Sequence, residues 1–390
     1  MTGPGPEAGP LSGFKIVDLT ENMAGPMATM ILGDQGADVI KVESLKGDQV
    51  RRTGSGTGGM AAYFANLNRS KRSISLDLRR PEGRAVLDRL IDDADVVFQA
   101  YRPSAAQKLG IDRESIKIPG RDRLVYCEIV GFGTTGPFAG RAVYDHVIQA
   151  MSGFAALQTN QATGEPSLIR HGVVDKATGL AAAQAITAAL LRRSRTGVGE
   201  AITVTMLNVA LNFIWPDGMM RHTAFEVEYE RPPAANTYRL TPTADGYIAM
   251  MVLTDDQWAA LHPALDLRPA GDRTHPERLR EARERLARMA TSDAIDALTS
   301  HHIPCAPMLS LDDVPFHPQV QANAILAETD HPVLGRIRQP LPEPHFDAMG
   351  TTSLRPAPRL GQHSEEILLE HGYAKEDIAD MVGSGVVGVS

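Results

Sequence analysis

Cysteine is nearly missing from this chain of 390 residues, which holds only Cys127 and Cys305. Two thiols cannot build a disulfide framework or a cysteine-rich metal site. Aromatic residues are scarce too, at 5%, which argues against a surface for stacking nucleic-acid bases. There is no surplus of positive charge. Lys and Arg number 39 against 47 Asp and Glu, a formal net charge of −8, unlike a general phosphate-backbone binder. No apolar run reaches the ~18 residues of a membrane span. The start, MTGPGPEAGPLSG, lacks the basic and apolar regions of a secretory signal, so the expected compartment is the cytoplasm. What is present, 43% hydrophobic and 22% charged residues, describes an enzyme-sized globular chain of two or three domains.

Residues 1–10 are rich in Gly and Pro and are expected to be disordered. After them short apolar runs alternate with helical stretches. FKIVDL (14–19), ADVIKVE (37–43), SISLDL (73–78), Asp95–Phe98, Arg123–Val130 and EAITVTM (200–206) read as strands. Ala24–Gly33, Pro81–Asp92, Tyr144–Phe154 and the Ala-rich Lys176–Arg193 read as helices. That alternation implies βαβ units and a parallel sheet covered on both faces, an α/β fold. From about Arg221 the character changes to Glu/Arg/Pro segments, a hairpin around Asp245-Gly246 and a charged helix over Arg278–Met289. Pro-rich connectors at 332–358 lead to a terminal helix over Ser364–His371.

Familiar catalytic motifs are missing. The first βα turn, Asp18-Leu19-Thr20-Glu21-Asn22-Met23-Ala24-Gly25-Pro26, lacks the G-x-G-x-x-G that cradles a dinucleotide. GSGTGG (54–59) lacks the Lys-Ser/Thr ending of a phosphate loop and reads as a flexible loop. No G-x-S-x-G is present. His301-His302, Cys305 and the His171/Asp175 pair match no zinc spacing, so no metal is expected. Two features admit a functional and an ordinary reading. Asn68-Arg69-Ser70-Lys71-Arg72 sets three cations at a loop edge, either a solvated turn or a place to meet an anionic cofactor. Asp175, just before the Ala-rich helix, is either an N-cap or a carboxylate held and aimed for nucleophilic attack. A carboxylate attacks usefully only on an activated acyl carbon, such as a thioester, in a site poor in water.

Seven segments in order resemble the family III CoA-transferases: IVDLTENMAGPMATMILGDQGADVIKVE (16–43), GDQVRR (47–52), NLNRSKRSISLDLRRPEG (66–83), ADVVFQAYRPSAAQKLG (94–110), GFGTTGPFAGRAVYDHVIQAMSG (131–153), VVDKATGLAAAQAITAALLRRSRTGVGEAITVTML (173–207) and APRLGQHSEEILLEHG (357–372). The resemblance thins between about 221 and 330. It implies a Rossmann-like large domain that binds CoA, formed by both chain ends (11–220 and 331–390), and a smaller α+β domain (221–330), in an interlocked homodimer. It implies acyl-CoA and a small carboxylic acid as substrates, coenzyme A as the carried group, no metal, and no nucleic-acid or membrane partner.

By the same resemblance Asp175 is the acyl-accepting carboxylate. Tyr144 stands where the racemase branch of the family has a histidine; a phenol is a poor acid–base group at neutral pH, which favours transferase over α-proton exchange by a racemase or isomerase. His146, two residues on, would point elsewhere on a helix. Asn22, Met23 and Ala24 match CoA-contacting backbone, with Met23 at a place that is glutamine in the formyl-CoA transferases. Lys71, Arg72 and Lys108 match the basic region for CoA phosphates, and Tyr101 and Arg102 the segment over the cofactor. VLTDDQW (252–258) lacks the family's glycine loop.

Overall fold

The computed structural model describes residues 9–116, 121–160, 162–226, 237–269, 271–347 and 355–390. Most of the N-terminal segment expected to be disordered, residues 1–8, lies outside them, as do 348–354 of the Pro-rich connector. The chain divides into two compact units, Met1–Trp215 with Ala327–Ser390, and Pro216–Leu326.

The larger unit is built on seven strands: β1 (Lys15–Asp18), β2 (Asp38–Glu43), β3 (Lys71–Leu76), β4 (Val96–Gln99), β5 (Val125–Val130), β6 (Ala201–Thr205) and β7 (Val387–Gly388). Their order is β7-β3-β2-β1-β4-β5-β6. All neighbours are parallel except β7, which closes the β3 edge antiparallel through Val387 opposite Leu76. Alternate residues face opposite sides of a strand, and here both sides are covered. Val17, Ile40, Ile74 and Val97 share a core with Val86, Leu87 and Leu90 of α2 (Pro81–Asp92) and with Ile367, Leu368 and Ile378 near the C-terminus. The opposite face meets α1 (Ala24–Asp34) and the long α5 (Val173–Thr196). The six parallel strands follow the doubly wound order 3-2-1-4-5-6, which leaves a crevice at the carboxyl ends of β1 and β4, where the winding reverses. Two further helices flank that crevice, α3 (Pro103–Leu109) after β4 and α4 (Asp145–Ser152) beyond β5.

The smaller unit has its own core of Ile248, Leu261, Leu265, Leu286, Leu298 and Ile303. A three-stranded antiparallel sheet, in the order Cys305–Pro307, Tyr247–Met250, Leu240–Pro242, packs with helices Asp255–Leu265, His275–Leu286 and Thr291–Thr299. Its hairpin turns at Asp245-Gly246, with the Thr243 N–H donating to Gly246 O at 2.9 Å. Among the described residues no helix is long and apolar enough to cross a membrane.

Candidate active site

The crevice is a cleft of about 870 Å³. Glu21–Gly25 around the β1–α1 turn, Tyr101–Ala105 at the start of α3, and Glu128–Thr134 at the end of β5 and just beyond it form its walls. A second cavity of about 380 Å³ opens beside it, and Met23, Tyr144 and Asp175 line both. Asp175 therefore stands at a junction, facing the larger cleft on one side and the smaller chamber on the other.

Why Asp175 sits there follows from helix packing. A Cβ on Gly179 would lie 2.8 Å from Ala24 O, and one on Gly172 would lie 2.6 Å from Met23 Sδ. At Gly179 only glycine lets α5 approach the backbone of the β1–α1 turn this closely, whereas the Met23 thioether facing Gly172 is flexible. The helix starts earlier than its Ala-rich body suggests, at Val173, so Asp175 lies in the first turn and is not the N-cap. Its own N–H donates to Asp145 Oδ2 at 2.9 Å. The capping carboxylate thus comes from α4, thirty positions away. Asp145 is held in turn: Gln149 Nε2 donates to its Oδ1 at 2.5 Å and to the carbonyls of Ile169 and His171 at 3.2 Å each, while the Ile169 N–H donates to Gln149 Oε1 at 2.9 Å. In the first turn of α5, the N–H groups of Val173 and Lys176 are also engaged, with His171 O and Gly172 O. These three donors are therefore not free for an oxyanion.

Burial pushes the Asp175 carboxyl up to about 7, and the neighbouring Asp145 adds to the rise. The favourable field of a helix N-terminus is outweighed by desolvation next to a second carboxylate. Tyr63, which sequence reasoning passed over, lines the smaller chamber; burial raises its phenol, and the Asp175 charge raises it further.

Tyr144 precedes α4 with extended backbone, φ −132° and ψ 167°, and is 56% exposed. That geometry corrects the expectation for His146. Because the helix begins at Asp145, Tyr144 and His146 are not two positions on one helical surface. Their rings stack at 6.3 Å and 12°, and both line the smaller chamber with Asp175.

The remaining expected residues divide. Asn22, Met23, Ala24, Tyr101 and Arg102 line the cleft. Asn22 takes the left-handed φ of +70°, which asparagine tolerates, and its N–H donates to Asp48 Oδ1 at 3.3 Å. Tyr101 bonds to Glu21, whose carboxyl is raised chiefly by burial. Lys108 is exposed on α3 and is not among the lining residues.

Lys71 and Arg72 are not brought to the cleft at all, a correction to the expected phosphate site. Lys71 is fully buried, and its ammonium donates to Asp18 Oδ2 (3.1 Å), Pro26 O (2.9 Å) and Asn68 Oδ1 (2.9 Å). An ammonium has three protons, so none remains for a phosphate. Arg72 faces Asp38, Glu366 and Glu370 at 2.6–3.0 Å, a surrounding that repels anions.

Lys71 belongs to a buried ion cluster beneath the cleft. Asp18, held down to about 2, is penalised by burial but favoured more by Lys71, Lys41, Thr20 and Thr29. Lys41 donates to Thr20 O at 2.7 Å and pairs with Asp48 at 3.2 Å. The β1–α1 turn is thus pinned from below at Thr20 and Pro26, and at Asn22 from the side. Among the described residues no group of three or more His, Cys, Asp or Glu is placed to hold a metal ion.

A doubly wound α/β unit with a large cleft at its switch point and a mostly buried carboxyl on its wall defines a class: an α/β enzyme that takes a sizeable ligand at the carboxyl ends of its strands. The comparisons with known proteins narrow it. The model of "CoA-transferase family III" matches residues 11–364, and the chain belongs to that family. It is 34% identical to the succinate–glutarate CoA-transferase of Agrobacterium fabrum, over 93% of this chain and 95% of that one. It is 33% identical to the human succinyl-CoA:glutarate CoA-transferase, over 97% of this chain and 90% of that one. Among solved structures it superimposes on a CaiB/BaiF family protein from Brucella suis with a TM-score of 0.79 at 30% identity, covering 93% of this chain and 100% of that one.

Proposed function

We propose that this CoA-transferase moves CoA from an acyl-CoA thioester to a free carboxylic acid with Asp175 as the covalent carrier. One observation carries the reading: the Asp175 carboxyl lies where the cleft meets the chamber, so a thioester bond at the junction would have its CoA on one side and its acyl group on the other.

In the first step a carboxylate oxygen of Asp175 attacks the thioester carbonyl, and the tetrahedral adduct expels CoA as thiolate to leave a mixed aspartyl–acyl anhydride. The thiolate then attacks the aspartyl carbonyl and expels the donor acid, leaving an aspartyl-CoA thioester. The acceptor carboxylate attacks that thioester, releasing the thiolate and forming a second anhydride. Attack of the thiolate on the acceptor acyl carbon regenerates Asp175. Each step exchanges one activated acyl group for another, so no ATP or metal enters the balance. Water would hydrolyse every intermediate, and the burial that raises the Asp175 carboxyl is the same dryness that protects them.

The cleft suits CoA by its volume of about 870 Å³ and by Tyr101 and Arg102 among its lining residues. The protein is taken to work as an interlocked homodimer, a reading that rests on the family resemblance. The names of the Agrobacterium and human relatives make succinyl-CoA and glutarate the first pair to assay. His146 in the chamber supplies the one observation for α-proton exchange instead; deuterium entering the α-carbon of an acyl-CoA without an acceptor acid would select that alternative.

Intact-mass spectrometry after incubation with acyl-CoA tests the carrier. An adduct mapping to Asp175 is expected, with Asp175→Ala abolishing turnover; near-wild-type exchange by that variant would overturn the assignment.

A further inference from the structure

The chamber beside Asp175 has a wall that the transfer chemistry does not use. Arg170 lines it, and among the described residues no carboxylate pairs with this guanidinium. Its backbone is nevertheless fixed on both sides. Buried Gln149, 1% exposed, bonds to Ile169 through N–H and carbonyl and to the carbonyl of His171. The same Gln149 amide holds Asp145, which receives the Asp175 N–H. One buried side chain therefore sets the nucleophile's helix and the segment carrying Arg170 in fixed relation.

We infer that Arg170 is a specificity residue that reads the second carboxylate of a short dicarboxylic acid lying in the chamber with its first carboxylate at Asp175. This rests on the CoA-transferase reading above. Arg170 is exposed on the open side of the chamber, so an apolar acyl end would leave its guanidinium to water and gain nothing from it. A distal carboxylate replaces that water with a two-point, charge-assisted contact, which the planar guanidinium is shaped to make. Asp175 does not itself take the cation: burial and Asp145 set its carboxyl, with no guanidinium opposing them. The charge of Arg170 is thus available to the far end of a substrate. Another anion of the reaction, a CoA phosphate, could meet the same guanidinium, and the test separates the two.

The experiment compares glutarate with butyrate as acceptors, using wild-type protein, Arg170→Ala and Arg170→Lys. For a two-step exchange, kcat/KM for the acceptor reports the acceptor half-reaction alone. Loss of a charged hydrogen-bonded pair is expected to lower the glutarate-to-butyrate ratio of kcat/KM roughly 10- to 100-fold in Arg170→Ala. Arg170→Lys should restore part of it, since lysine keeps the charge but not the fork. The dissociation constant of free CoA, measured by calorimetry, should stay within about threefold, the spread a neutral surface change permits. An unmoved ratio overturns the inference. So does an equal fall for both acids together with weakened CoA binding, which assigns Arg170 to a phosphate. Failure of the underlying reading looks different: wild-type protein then transfers CoA to neither acid and forms no Asp175 adduct.

Discussion

Replacing Asp175 by Asn should make the protein more stable while destroying its proposed chemistry, and the gain should depend on pH. The Asp175 carboxyl lies at about 7 in the folded chain against an ordinary 3.8. Between those values the unfolded chain has released this proton and the folded chain has not. The folded state therefore binds more protons, and its stability falls as pH rises through that window. At 1.36 kcal/mol for each tenfold change in proton affinity, the full cost is on the order of 4 kcal/mol above pH 7, in the absence of CoA. Near pH 5 only about a third of it has developed. Asn has nearly the same shape and no charge to desolvate, so its advantage should follow the same curve: small below pH 4, about 1.5 kcal/mol at pH 5, several at pH 8. Urea unfolding of both proteins at four or five pH values between 4 and 8 would show the midpoints diverging. Parallel curves, with a constant offset or none, would refute the claim that a buried carboxyl at this junction is held protonated against its ordinary tendency.

Three other perturbations test the geometry around that carboxyl. Asp145→Asn keeps an oxygen for the Asp175 N–H but removes the neighbouring charge; the acid limb of kcat/KM for acyl-CoA, expected near pH 7, should move down by on the order of one pH unit. Gly179→Ala places a Cβ 2.8 Å from Ala24 O, and should cost about 1–3 kcal/mol in stability. Its kcat should fall by up to ~100-fold, because Asp175 shifts relative to the cleft; unchanged kcat would show that the close approach does not position the nucleophile. Lys71→Met leaves Asp18 buried with one cation fewer and should cost about 3–5 kcal/mol by urea unfolding, a loss foreign to a solvated phosphate-binding lysine.

How much of this was legible beforehand varies with the kind of contact. Strands buried on both faces announce themselves as apolar runs, and the six parallel strands fall within a few residues of their expected places. Helix α2 was expected over its observed span because Pro81 and Glu82 mark its start chemically. The helix over His275–Leu286 was displaced by three residues, although Thr274 and Glu277 spell a capping box that reading of its charged body passed over. The helix Lys375–Gly383 and the edge strand β7 were not anticipated. Two residues of strand carry too little pattern to read, and β7 exists because β3 offers an edge.

The site residues that were misjudged share one cause. The alternating run begins at Ser73 and so leaves Lys71 at a loop edge in the sequence, yet β3 starts at Lys71 and carries it into the sheet. A helix that included Tyr144 would turn His146 away, and one that began at Lys176 would leave Asp175 open to the role of its cap; the real starts are Asp145 and Val173. An element's first residue is set by what its unpaired N–H groups find, and for α5 that partner is Asp145, on another helix. No local pattern can show such a partner. The first βα turn makes the same point in reverse. It lacks the glycines that let a dinucleotide fold approach its ligand, and instead Thr20 O and Pro26 O are tied down by Lys41 and Lys71, with Asn22 taking the left-handed position. A turn shaped by buried cations needs no glycine signature. Of the cations read as binding groups, Lys71 instead helps to hold the turn that lines the cleft.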